Sequence, residues 1–246
     1  MNELDALLFG IALLAGLIDA IAGGGGLLTV PALLWAGLSP VEALATNKLQ
    51  ASFGSFTAAV NFLRQGALDL HRSWLAVACT FLGASAGALL VQYLHTEFLE
   101  RLIPVLLMGF AVYFLFSPRV ADADGHRRIS DRAFALSVGT AVGFYDGFFG
   151  PGTGTFFAAG FILLLGFNLR RATAHTKLLN FTSNFAALLA FGLGGHLVWK
   201  LGLVMAAGQF IGAWTGSHLV LRHGARLVRP LLVTVSLLIS LKLLLA

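Results

Sequence analysis

Four ionisable residues, Asp19, Lys48, Asp146 and Lys177, lie in sequence that is otherwise strongly apolar, and they fall into two matched sets. In the first, Gly16-Leu-Ile-Asp19 leads into Gly23-Gly24-Gly25-Gly26 and then, past an apolar stretch, into Ala45-Thr46-Asn47-Lys48. In the second, Gly143-Phe-Tyr-Asp146 leads into Gly150-Pro151-Gly152-Thr153-Gly154 and then into Ala174-His175-Thr176-Lys177. A charge at the centre of a membrane helix costs roughly 2.5–3.5 kcal/mol on insertion scales, so each needs a partner or a hydrated cavity. The spacing allows two uses. Asp19 with Lys48, and Asp146 with Lys177, are candidate structural ion pairs that pin the chain at each break. Alternatively the lysines attract an anion, and an aspartate takes part in proton coupling or gating. The two uses can coexist.

The glycine clusters have a chemistry of their own. A helix that restarts inside a membrane presents its first backbone N–H groups and the positive end of its dipole. Glycine lets backbone approach a ligand closely and adopt positive φ. Gly23, Gly24 and Gly25, with Gly152, Thr153 and Gly154, are therefore candidate anion-binding positions. A polar stripe continues from each lysine: Lys48, Ser52 and Ser55 share one helix face, as do Lys177, Asn180 and Asn184. Asn47 and Thr176 flank the lysines. His175 is a candidate proton-responsive group. Gly83-Ala-Ser85-Ala-Gly87 has the form of a hydrolase nucleophile elbow. Its repeat counterpart is Gly212-Ala-Trp214-Thr-Gly216, however, so the shared feature is Gly-x-x-x-Gly, a helix-packing signal. No residue set reads as catalytic, as a metal site or as a nucleotide loop. The reading is of a non-enzyme without cofactor.

Composition says what holds these residues. The chain is 58% hydrophobic and 11% charged, with mean hydropathy +0.86, where a soluble domain carries about 25% charged residues. Apolar runs of membrane-spanning length recur throughout. The isoelectric point near 9.9 reflects basic loops rather than nucleic-acid binding. Cys79 stands alone, which excludes an intrachain disulfide. Met1-Asn-Glu-Leu-Asp5 lacks a basic stretch, so the first segment reads as a retained span.

The expected architecture is an all-α polytopic membrane protein of two inverted-topology repeats, each with one glycine-broken helix. It has eight long hydrophobic elements, or ten segments if the broken ones are counted twice. Repeat 1, residues 1–116, comprises a broken segment 4–37 and helices 41–63, 73–93 and 98–116. A cytoplasmic loop, 117–132, joins it to repeat 2, residues 133–246, with a broken segment 133–166 and helices 172–192, 198–221 and 227–246. One interval, 129 residues, separates Gly37 from Gly166, Lys48 from Lys177, Gly66 from Gly195 and Gly83/Gly87 from Gly212/Gly216. Equivalent loops carry opposite charge bias. The turn at 37–42 lacks Lys and Arg while 166–171 has Arg170 and Arg171, and the basic loop 64–72 faces a counterpart with only Lys200. By the positive-inside rule, equivalent loops then lie on opposite sides of the bilayer, with both termini outside.

On these residues (Asp19 with Gly23–Gly26 and Pro31, Ala45–Lys48, Gly150–Gly154 and Ala174–Lys177) the chain resembles the TauE/SafE sulfite exporter family over essentially its whole length. The resemblance implies a multi-pass transporter of the bacterial inner (plasma) membrane for sulfite or a small organosulfur anion, driven by a secondary gradient. Its partners are then the anion and the lipid bilayer, with no nucleic acid. A proton is one candidate coupling ion and a homo-oligomer one candidate assembly. An anion channel of the same architecture is the alternative.

Overall fold

The computed structural model describes residues 2–116 and 125–223; the expected helix at 227–246 and most of the loop at 117–132 lie outside the described residues. All regular structure among the described residues is helical. Helix α1, Glu3–Ala22, opens with a capping box between Asn2 and Asp5 and stops at Gly23, whose φ of 75° is left-handed. At 1.5 Å per residue it is about 30 Å long, enough to cross a bilayer core. Helix α2, Gly26–Trp35, has only ten residues. Its Ala32 and Leu33 pack against Leu8 and Ala12 of α1, so the α1–α2 hairpin returns to the side it entered from, here side A. Ser39 then caps α3, Pro40–Arg64: the Glu42 carboxylate accepts the Ser39 N–H at 2.9 Å, and Pro40 sits where no helical N–H is needed. Helices α4 (Leu70–Gln92) and α5 (Thr96–Phe116) complete the first half.

The second half begins with α6 (Asp131–Phe134), a π turn (Ala135–Gly139) and α7 (Thr140–Phe148), which form one continuous rod. A regular helix over 133–149 is the sequence expectation; the π turn departs from it. There the Gly139 carbonyl accepts a hydrogen bond from Thr80 of α4 at 3.2 Å, an outside donor at the point where the regular ladder is interrupted. The break is also shorter than the expected 150–154, because α8 already begins at Thr153 and runs to Leu165. Helix α8 folds back beside α6: Phe161 and Leu165 pack with Phe134, and the Leu164 carbonyl accepts Arg128 N–H at 2.8 Å. Helices α9 (Leu169–Leu193) and α10 (Trp199–His223) follow.

Helix directions follow from who touches whom. Helices α1, α3 and α10 start at side A, where Lys200 of α10 pairs with Asp5 of α1 at 3.0 Å. Helices α4, α6 and α9 start at side B, where Arg72 of α4 pairs with Asp131 of α6 at 2.9 Å. At the centre α3 and α9 run antiparallel, with Phe56 on Phe181 and Phe62 on Ala174. The two halves interlock through α10 on α1 and α4 on α7. A Cβ at Gly83 or Gly87 would fall onto the carbonyls of Thr140 and Phe144; one at Gly212 or Gly216 would fall onto those of Leu13 and Leu17. Each Gly-x-x-x-Gly pair thus brings two helix backbones into direct contact, and the same register is used twice.

The molecule is turned outside-in compared with a soluble protein. Its surface carries Leu82, Leu136, Leu163 and Val105, each more than half exposed, while Lys48, Lys177, Asp146, Gln50 and Asn180 are buried. Trp35, Trp74 and Trp199 sit exposed at helix ends, where an aromatic ring meets the head groups of a bilayer.

Candidate functional site

The two glycine breaks meet. A Cβ at Gly23 would lie 2.6 Å from Cα of Gly154, and one at Gly26 would lie 3.2 Å from Cα of Pro151. Thr155 donates to the Gly23 carbonyl at 3.4 Å. No side chain fits between these backbones, which is why glycine stands at both. Helices α2 and α8 both begin at this contact and run away from it, so two positive helix ends converge on it.

The four charges form two ion pairs, but not within the halves. Lys48 Nζ donates to Asp146 Oδ1 at 2.7 Å, and Lys177 Nζ to Asp19 Oδ2 at 3.0 Å. This corrects the sequence-based pairing of Asp19 with Lys48 and Asp146 with Lys177. The physical reason is the interlock: each broken hairpin packs against helices of the other half, so its aspartate meets the other half's lysine. Both lysines are 1% exposed.

The pairs differ in their surroundings. Asp146 is 3% exposed and has both oxygens engaged. Besides Lys48, it accepts the Thr153 hydroxyl at 3.0 Å on Oδ1 and the Ser183 hydroxyl on Oδ2. Gly150, at φ 102°, lies against the pair: a Cβ there would be 2.6 Å from Lys48 Nζ. Asp19 is 22% exposed; apart from Lys177 it accepts only the Gly25 N–H, at 3.4 Å. Lys177 also donates to the Asp19 backbone carbonyl, at the negative end of α1.

The remaining candidates divide. Asn47 Oδ1 accepts from Thr29 at 2.6 Å and Gln50 at 2.7 Å, and Ser52 turns its hydroxyl onto the Lys48 carbonyl at 2.7 Å. Gly24 and Gly152 shape the turns, the latter at φ 88°. Asn180 lies at the contact of the breaks: its amide nitrogen is 3.2 Å from where a Cβ of Gly154 would stand. The Asn180 Oδ1, Thr176 Oγ1 and Gln50 Oε1 atoms are buried without a partner among the described residues. His175 has its bonds elsewhere. Its Nδ1 meets the Arg171 carbonyl at 2.9 Å, its ring packs against both Phe161 and Phe167, and it lines a side-B cavity of about 150 Å³ together with Arg72 and Asp131.

Ser183, Thr29 and Gln50 also build the site and escape the sequence reading, and Gly150 enters that reading only as part of the break. Ser183 is hidden because its repeat counterpart, Gly54, is not polar. Its signal is the helical spacing from Asn180, three residues away on one face. What the geometry offers is backbone helix ends, buried cations and, in the Thr176 hydroxyl, a donor without a partner among the described residues, a set suited to holding a small anion.

The known relatives agree with a membrane role. Residues 8–243 match the family described as Sulfite exporter TauE/SafE. "Probable membrane transporter protein YfcA" of Escherichia coli (strain K12) is 53% identical over 237 residues, covering 96% of this chain and 88% of its own length. A "Probable membrane transporter protein" of Haemophilus influenzae is 45% identical over 240 residues, covering 98% and 94%. The Arabidopsis thaliana "Sulfite exporter TauE/SafE family protein 6" is 28% identical over 114 residues, 46% of this chain and 27% of its own. No solved structure matches significantly. Spanned almost end to end by that family, with its polar residues buried and its apolar ones outside, the chain belongs to the sulfite exporter TauE/SafE family of membrane transporters.

Proposed function

We propose that this protein is a secondary transporter of the bacterial inner membrane that moves a small anion, sulfite or an organosulfur anion, by alternating access around the two glycine breaks. The observation that carries the reading is the meeting of Gly23 with Gly154 beside Lys48 and Lys177, where α2 and α8 both start. Gly23, Gly24, Gly25, Gly152, Thr153 and Gly154 shape the backbone of the site; Asn47, Ser52, Thr176 and Asn180 are its polar lining. Thr176 supports this most directly, because its buried hydroxyl is a donor without a partner among the described residues, and such groups are rare and costly. Asp19, Asp146 and His175 are the candidate coupling or ion-pair residues.

The architecture proposed is two inverted repeats, 1–116 and 133–246, joined by a cytoplasmic loop at 117–132. The opposite directions of α1 and α7, of α3 and α9, and of α4 and α10 support it, as does the repeated glycine register. Because each broken hairpin returns to its own side, it adds an even number of crossings, and the three further spans expected in each half make its total odd. Arg64, Arg72, Arg128, Arg170 and Arg171 gather on side B, against Arg101 and Lys200 on side A, which supports a cytoplasmic side B.

The test is flux of labelled sulfite and a simple sulfonate in proteoliposomes. Lys48→Ala and Lys177→Ala each abolish flux while the protein still inserts and purifies as a folded species. Wild-type flux in both variants overturns the reading. A channel of the same architecture would instead give flux that does not saturate and no accumulation against a gradient.

A further inference from the structure

This inference rests on the transporter reading and divides the labour between the two ion pairs. We infer that Lys177–Asp19 is the working pair, whose carboxylate takes up one proton for each monoanion carried in the same direction, and that Lys48–Asp146 is a structural lock. The starting point is charge balance. Two buried lysines face two aspartates, Asp146 buried and Asp19 partly exposed, so their charges already balance. Adding an anion would leave an uncompensated negative charge in a low-dielectric interior, which is strongly unfavourable. Protonating one aspartate restores neutrality: the carboxylate gains a proton, its lysine keeps its charge, and that lysine is released to hold the anion.

The surroundings decide which aspartate this is. Hydrogen-bond donors favour the charged carboxylate, so one with few donors accepts a proton more readily than one with many, and solvent access gives the proton a path to it. Asp146 is sealed in and held by Lys48 and Ser183, with the Thr153 hydroxyl shared between it and the Gly150 carbonyl, whereas Asp19 has one cation and one long backbone contact, and is 22% exposed. The elements packed on α1 bring a single charged group to Asp19 among the described residues, Lys177 of α9. Helix α10 places neutral Gln209 against Gly16, α8 places neutral Thr155 on the Gly23 carbonyl, α2 contributes neutral Thr29, and α3's Lys48 is held by Asp146. When Asp19 is protonated, Lys177 stays in place through the Asp19 backbone carbonyl. The unpartnered atoms of Thr176 and Asn180 lie one and three residues from Lys177 on α9. The Thr176 hydroxyl donates to the anion directly, and the Asn180 amide donates after a half-turn.

The experiment compares exchange with accumulation in proteoliposomes, using whichever of sulfite and methanesulfonate exchanges faster. Exchange of labelled for unlabelled anion needs the site but no net proton movement; accumulation driven by a pH gradient needs both. Wild type does both. Asp19→Asn, which imitates the protonated carboxylate, keeps exchange and loses gradient-driven accumulation. Asp146→Asn loses exchange together with thermal stability. Wild-type exchange without response to a pH gradient overturns the inference and leaves the transporter reading intact, as does accumulation by Asp19→Asn. Uncoupled exchange by Asp146→Asn in place of Asp19→Asn reverses the assignment and overturns it too. Absence of exchange of either anion in the wild type is the separate outcome that defeats the transporter reading itself.

Discussion

Gly150 concentrates the demands that the site makes on single residues. Its φ of 102° lies in the region that L side chains avoid, at a penalty of roughly 1–2 kcal/mol. A Cβ there would stand 2.6 Å from Lys48 Nζ and 3.0 Å from Asp146 Oδ1. Gly150→Ala therefore displaces the ammonium from its carboxylate and leaves two buried charges poorly paired, a defect of about 3–5 kcal/mol where one partner is lost outright. The expected outcome is a lower melting temperature in detergent and loss of flux; an unchanged melting temperature means that the pair tolerates a methyl group. At this scale the sequence was partly legible. Asp19, Lys48, Asp146 and Lys177 stand out because a charge inside an apolar run is costly enough to need a reason. Their partners did not stand out, since sequence proximity favours Asp19 with Lys48, while the choice is made by an interlock of the two halves that no local pattern records.

Helices were more legible than contacts. Apolar runs, the Ser39–Pro40 start and the glycine stops place α1, α3, α4 and α9 directly, because each signal acts within one or two turns. The π turn at Ala135–Gly139 was not legible, since Ala-Leu-Ser-Val-Gly is compatible with a regular helix and the outside donor to its ladder, Thr80, comes from α4. The Gly-x-x-x-Gly pairs signalled close packing but not their targets. Their energetic weight is testable. Gly87→Val places a branched side chain against the Phe144 carbonyl and Phe148 N–H, and the only relief is to separate α4 from α7. Overpacking of this kind costs about 1–3 kcal/mol. Gly10→Ala is the control, because nothing lies within 4 Å of its Cβ position and alanine is the better helix former. Thermal melts should therefore rank Gly10→Ala at or slightly above wild type and Gly87→Val well below it. Equal melts for the two would mean that α4 and α7 slide past one another freely.

For the molecule as a whole, orientation and inversion make one joint prediction. If the halves are inverted, the turn after α8 and the loop before α5 must face opposite compartments, although the first belongs to the second half and the other to the first. Glu97 and Arg170 mark them: both are exposed, Glu97 at the side-A start of α5 and Arg170 at the side-B start of α9. The sole native cysteine, Cys79, is buried on α4 and is removed as Cys79→Ser to clear the background. In spheroplasts, a membrane-impermeant maleimide then labels Glu97→Cys directly and Arg170→Cys only after permeabilisation. Labelling of both from one side breaks the inversion, and with it the argument that two equivalent breaks enter from opposite sides to share one site. The opposite pattern, Arg170→Cys labelled from outside, keeps the inversion but reverses the orientation. It would do so against the bias of Arg64, Arg72, Arg128, Arg170 and Arg171 on side B, so the positive-inside rule is itself what the second outcome tests. The proposed inversion would also explain why the two ion pairs can diverge at all. Each pair joins residues from both halves, so an exchange of the halves carries each pair onto the other and leaves one seat free to lock while the other works.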